Sequence, residues 1–150
     1  MLGELTSEQS TQVLRSEVVG RIGCYADGKI YVVPVTYAFD GKFIYAHSKE
    51  GLKIQLMRKN PNVCFQVDRI ENMALWRSVV VWGKYEELKV EDYEIGMKIL
   101  KDKLTPLLIS ESVKPAHGMG PEVVIKQPKA IAFRISIGEI TGRFEKSTNH

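Results

Sequence analysis

The chain has 150 residues, 44% of them hydrophobic, which suits one compact domain with a core of its own and leaves little room for a second. Charged residues make up 26% and the net charge is +3, so a sequence pI of about 8.8 reflects only a mild excess of Lys and Arg. No basic run is dense enough to act as a nucleic-acid arm or a polybasic membrane patch, which argues against both classes of partner.

Met1 to Gln9 is polar and lacks the basic-then-apolar layout of a signal peptide. No apolar run approaches the length of a membrane span, so a cytoplasmic location is expected. Thr6-Ser7-Glu8-Gln9 has the spacing of a capping box and predicts a short first helix ending before Gly20. Arg21–Tyr25, Ile30–Phe39 and Phe43–Ala46 are rich in β-branched and aromatic residues. Asp27-Gly28 and Asp40-Gly41 separate them, and both dipeptides tolerate the positive φ of tight hairpins, so three successive antiparallel strands are predicted.

Lys49–Lys59 switches to helical spacing, with Leu52 and Leu56 on one face, and Asn60-Pro61 stops it. Strands are predicted over Val63–Val67 and Ser78–Leu88, followed by a helix whose stripe of Tyr93, Met97, Leu100 and Leu104 is core packing. Prolines 106, 115, 121 and 128, with Gly118 and Gly120, predict a long loop or an interrupted helix, in which His117 is placed to cover a pocket. A last strand over Ala130–Ile137 leads into Gly138–Glu145 and a polar tail. Cys24 and Cys64 sit among apolar residues without ligand-spaced partners. They read as buried free thiols, a bridge between them staying open, and no metal site is expected. Many strands on short turns with only two clear helices predict a mainly β fold, an antiparallel barrel closed or nearly closed with helices packed outside it.

Three stretches carry possible chemistry. Ile44–Lys53 ends a strand and starts a helix, with Ser48 as the expected N-cap and Lys53 on the first turns. Free N–H groups, the Ser48 hydroxyl and the Lys53 ammonium suit a phosphate, and they equally suit an ordinary capped surface helix. Pro34 interrupts Tyr31–Tyr37, which places that strand at an edge or a bulge. Its neighbours Val33, Val35 and Thr36 then offer unpaired backbone groups to a flat ligand, or simply form an edge. Trp76-Arg77-Ser78 opens an apolar strand: Arg77 and Ser78 fit an anion site and Trp76 a ring cover, against the alternative of core or dimer contacts and a solvated Arg.

Taken in order, Gly20-Arg21-Ile22-Gly23, Val33-Pro34-Val35-Thr36-Tyr37, Tyr45-Ala46-His47-Ser48 with Gly51 and Lys53, Asn60-Pro61-Asn62-Val63-Cys64-Phe65, Arg77–Gly83 and Ile140-Thr141-Gly142-Arg143 resemble the pyridoxamine 5′-phosphate oxidase-like flavoproteins. Within that family the pattern is most similar to the nitroimidazole-resistance branch. The resemblance implies a split β-barrel homodimer with one flavin mononucleotide (FMN) in each inter-subunit cleft. Its isoalloxazine would lie along Val33, Pro34, Val35 and Thr36, and its phosphate would meet Ser48 and Lys53. Arg77 and Ser78 would reach in from the other subunit, with Trp76 beside them, and His47 would lie near flavin and substrate. Leu52 stands where many relatives carry a second basic residue. The carboxyl-terminal segment lacks the Arg- and His-containing ending that holds pyridoxamine phosphate, Arg143 being the basic candidate in a comparable place.

The activity so implied is oxidation or reduction of a small aromatic or nitroaromatic compound at flavin N5, with the protein supplying binding and orientation. NAD(P)H would dock transiently, since there is no Rossmann fingerprint. Two alternatives stay open: a flavin-binding or sensing protein without turnover, and a barrel that holds haem or a deazaflavin.

Overall fold

The computed structural model describes residues 1–108 and 129–147. In chain order these form β1 (Leu2–Glu4), α1 (Ser7–Ser16), β2 (Val19–Ala26), β3 (Lys29–Thr36), β4 (Ala38–Phe39), β5 (Phe43–Ser48), α2 (Leu52–Lys59), β6 (Asn62–Asn72), β7 (Leu75–Glu87), α3 (Val90–Leu108) and β8 (Ile131–Lys146). All strand pairs are antiparallel, in the order β3-β2-β6-β7-β8-β5-β4, with β1 added on β8. The two ends of this order come back into contact at β3 and β5, so the sheet curls into a barrel with an open seam there.

Local chemistry explains most boundaries. The capping box at α1 forms in full: the Gln9 N–H donates to Thr6 Oγ1 at 3.1 Å and the Thr6 N–H to Gln9 Oε1 at 2.9 Å. Asp27 and Gly28 take φ of 54° and 75°, the left-handed pair that a tight two-residue hairpin requires. At Asp40-Gly41 the Asp40 carboxylate accepts from the N–H groups of Lys42 (2.8 Å) and Phe43 (2.7 Å). The predicted strand Ile30–Phe39 is two strands, because at Tyr37 the chain leaves β2 for β5. The Tyr37 hydroxyl donates to the Leu14 carbonyl at 2.7 Å, with the ring fully buried, and that anchor marks the break.

Several expectations are corrected. Strand β1 is an addition that three residues could not announce. Helix α2 starts at Leu52, not Lys49, and its N-cap is Gly51, not Ser48. Its buried face is Ile54, Leu56 and Met57, whereas Leu52, the first residue of the helix, is exposed. Strands β6 and β7 extend beyond their predicted limits into one long hairpin. Helix α3 runs through Pro106 to Leu108, so the expected loop does not begin there. The rest of that loop, with His117, Gly118 and Gly120, lies outside the described residues. Strand β8 continues through Gly138–Glu145 because a register shift opposite Trp82 and Gly83 absorbs Gly138 and lets pairing resume.

The main core gathers Leu14 of α1, Ile54 and Met57 of α2, and Ile22, Phe65, Val67, Val79, Val81, Phe133 and Ile135 from the sheet. A second cluster of Tyr45, Leu88, Leu100 and Ala132 lies under α3, where the predicted stripe of Tyr93, Met97 and Leu104 packs. Cys24 and Cys64 are free thiols. Cys64 stands opposite Gly23, so Cys24 shares the inward face with Val63 while Cys64, half-buried, faces outward; no bridge joins them.

Candidate functional site

The seam joins the Pro34 strand to the strand that feeds α2. β3 is a terminal strand bonded to β2 alone, as its proline requires. The Tyr37 N–H donates to the Val18 carbonyl at 3.0 Å, and hydrogen-bonded pairs alternate along an antiparallel ladder. Val35 and Val33 therefore turn their backbone groups toward β2, whereas the Pro34 carbonyl and both backbone groups of Thr36 face outward from the edge. The side chains of Pro34 and Thr36 are exposed and that of Val35 is buried. The open groups of this edge thus belong to Pro34 and Thr36, and Val33 and Val35 contribute inward packing.

Across the seam, β5 runs into α2. The first intrahelical bond at its start is from the Gln55 N–H to the Gly51 carbonyl at 3.1 Å, and no side chain caps the helix. The N–H groups of Leu52, Lys53 and Ile54 consequently have no intrahelical acceptor. The Ser48 hydroxyl donates to the Lys49 carbonyl at 2.8 Å, so it fixes the loop and not the helix end. Lys53 is half-buried, and its charge lies close enough to Cys24 to oppose the rise in that thiol's pKa caused first by burial and then by Cys64. Three open N–H groups and one ammonium are a donor set that fits a phosphate. His47 and Ser48 point to opposite faces of β5: His47 is exposed and shares the α3 side with Tyr45, and Ser48 shares the barrel side with Ala46.

The other predicted site residues lie elsewhere on the sheet. Ser78 pairs with Asp68 on β6 and with Arg143 on β8, and Arg143 pairs with Glu4. Gln66 ties this row together, its Nε2 donating to Ser78 Oγ and Asp68 Oδ2 at 3.0 Å each. Trp76 shares the outer face with Ser78, its indole N–H donating to Glu145 at 3.2 Å. Arg77 turns to the opposite, α1-facing side, opposite Arg69, where the two join Gln12 and Ser16 around a cavity of about 370 Å³. The structure thus brings Ser78, Arg143 and Trp76 onto one face, without Arg77. Gln66 and Asp68 are not singled out by the sequence; the alternation of Val63, Phe65 and Val67 is the signal that turns them outward.

From β3 to β7 is three strand spacings, roughly 14 Å along the sheet. Further along the strands, toward the Asp27-Gly28 hairpin, the outer face becomes more apolar. Tyr25, Ile30, Val32, Cys64, Trp82 and Lys84 line a shallow depression of about 700 Å³, with Ile30 77% and Val32 62% exposed.

The family model described as pyridoxamine 5′-phosphate oxidase matches residues 6–144. The chain belongs to that family. A Rhizobium meliloti protein of uncharacterised role is 38% identical over 143 residues, covering 93% of this chain and 92% of its own. The crystal structure of an FAD-binding protein from Mesorhizobium loti superposes with a TM-score of 0.79 at 32% identity, covering 98% of both chains. A putative 5-nitroimidazole antibiotic resistance protein from Bacteroides thetaiotaomicron shares the fold, with a TM-score of 0.69 at 17% identity over 96% of this chain and 87% of its own. The split-barrel architecture of this oxidase family is therefore the fold of the chain. Among the described residues no helix is long and apolar enough to cross a membrane.

Proposed function

We propose that this family member binds FMN at the seam of a homodimer and uses it to oxidise or reduce a small aromatic or nitroaromatic compound. The observation that carries the reading is the start of α2: a helix end with no side-chain cap and Lys53 in its first turn, following directly on β5, the strand that meets the open edge of β3 at the seam. The 32% identical relative named as FAD-binding supports a flavin, and the isoalloxazine and phosphate common to FMN and FAD suit the same donors. FMN is chosen because one cluster of donors matches one terminal phosphate.

Bound there, the flavin supplies hydride and electron transfer at N5. The chain's own tasks are to hold and orient it. The N–H groups of Leu52, Lys53 and Ile54 and the Lys53 ammonium take the phosphate. The Pro34 carbonyl and the Thr36 backbone groups meet the polar rim of the ring, while Val33 and Val35 pack the strand behind it. Trp76, Ser78 and Arg143 complete the cleft from a second copy. His47, on the α3 side, is placed for substrate rather than phosphate. A transient NAD(P)H serves as electron source.

Steady-state oxidation of NADH and NADPH by the purified protein, with a panel of quinones and nitroaromatics, tests this. Turnover that vanishes when the flavin is stripped and returns with FMN supports it. A flavin-loaded protein inactive with every donor and acceptor is a binder without turnover, and chromatography of the released cofactor that yields FAD overturns the choice of FMN.

A further inference from the structure

The two early helices solve the same problem in different ways. α1 satisfies its first N–H groups with its own capping box, whereas α2 leaves them open and still requires a fixed entry for the chain. That fixed entry comes from outside the helix end. Arg58, in the last turn of α2, donates through Nη1 to both carboxylate oxygens of Glu50 at 2.8 and 3.0 Å. The same guanidinium donates from Nε and Nη2 to Glu87 at 2.8 and 3.2 Å, and the Tyr85 hydroxyl donates to Glu87 at 2.9 Å. One planar cation therefore ties the residue just before the N-cap to its own helix and to the end of β7.

We infer that Glu50, clamped by Arg58 against Glu87, is a positioning residue that holds the loop of Lys49 to Gly51 so that the first N–H groups of α2 stay open toward a ligand phosphate. A local Ser or Asp cap would hold the same loop only by occupying those groups. The clamp holds it from the far side. Its members are substantially exposed, at 42% for Arg58 and 51% for Glu50, so as ion pairs they contribute little to stability and their effect is on geometry. The two-nitrogen fork onto Glu87 fixes the plane of the guanidinium, which a lysine could not do, and leaves Nη1 aimed at both oxygens of Glu50. The inference rests on the reading of the α2 start as the flavin phosphate site.

Charge alone makes the opposite forecast, which gives the test its sign. Glu50 is an anion beside a proposed anion site, so a purely electrostatic role means that Glu50→Ala tightens FMN. The positioning role means that it loosens FMN. Dissociation constants for FMN and for riboflavin, which has the same ring and no phosphate, are measured by quenching of flavin fluorescence, with thermal melting of the flavin-free protein alongside. Glu50→Ala is expected to weaken FMN by about fivefold for each loop residue that must be re-ordered on binding, with riboflavin unchanged. Glu50→Gln, which keeps one acceptor, recovers part of the loss, and Arg58→Lys, which keeps the charge but loses the fork, reproduces it. Tighter or unchanged FMN binding in a folded Glu50→Ala protein overturns the inference, as does an equal loss for FMN and riboflavin. A wild-type protein that does not prefer FMN to riboflavin removes the phosphate site itself, and is told apart because it needs no variant.

Discussion

Lys53 carries the only full positive charge in the first turn of α2, and Lys53→Ala is the substitution that weighs it. A charge-assisted contact to phosphate is worth about 1.5–3 kcal/mol, so FMN affinity is expected to fall roughly tenfold to a hundredfold in a fluorescence titration, with the fold intact. Unchanged affinity takes Lys53 out of the site. Glu87 offers a second measurement. Hydrogen bonding to Arg58 is the main reason its carboxyl sits below the usual carboxylate range, with Tyr85 adding to it against the effect of burial. A depressed folded pKa stabilises above the unfolded value and loses that stability as pH falls through the folded one. The melting-temperature gap between wild type and Glu87→Gln is therefore expected to be widest at neutral pH and to close on acidification; a gap independent of pH contradicts the pairing. At this scale the edge position of Pro34 can be recognised from residue type alone. Ser48 misleads, because a serine before a helical pattern looks like a cap and only the backbone shows that the helix starts at Leu52. The opposite orientations of His47 and Ser48, and of Arg77 and Ser78, follow from strand alternation once the strands are known to reach that far.

The elements themselves divide by how local their causes are. The α1 capping box and the Asp27-Gly28 turn are set by residues within four positions of one another, and sequence reads them directly. The break at Tyr37 and the continuation of β8 past Gly138 depend on partners far along the chain, and no short window contains them. Gly83 shows how tight that long-range fit is. A Cβ there would lie 1.8 Å from the Ser136 carbonyl oxygen, a backbone atom that cannot swing aside. Gly83→Ala is expected to cost at least the ~1–3 kcal/mol of ordinary overpacking, seen as a lower denaturation midpoint in urea. An unchanged midpoint would mean that β7 and β8 are not in this register.

At the scale of the whole molecule, the barrel with peripheral helices is legible because β-branched runs and turn dipeptides repeat along most of the chain. The seam is not, since it depends on β3 and β5 meeting with four other strands paired between them in the sheet. The apolar outer face likewise emerges only when Val32, Gly23, Cys64 and Trp82 fall into one row across four strands. If a second copy covers that face, Trp82→Asp is expected to convert a dimer into a species of 17.0 kDa in light scattering after size exclusion, with loss of bound flavin. A variant that stays dimeric and keeps its flavin places the subunit contact elsewhere.

The most direct check on the whole account is the visible spectrum of the purified protein, recorded before and after incubation with excess FMN and desalting. A flavin absorption band that persists through desalting, with FMN recovered from the denatured protein, is the expected result. A protein that remains colourless after that incubation contradicts it.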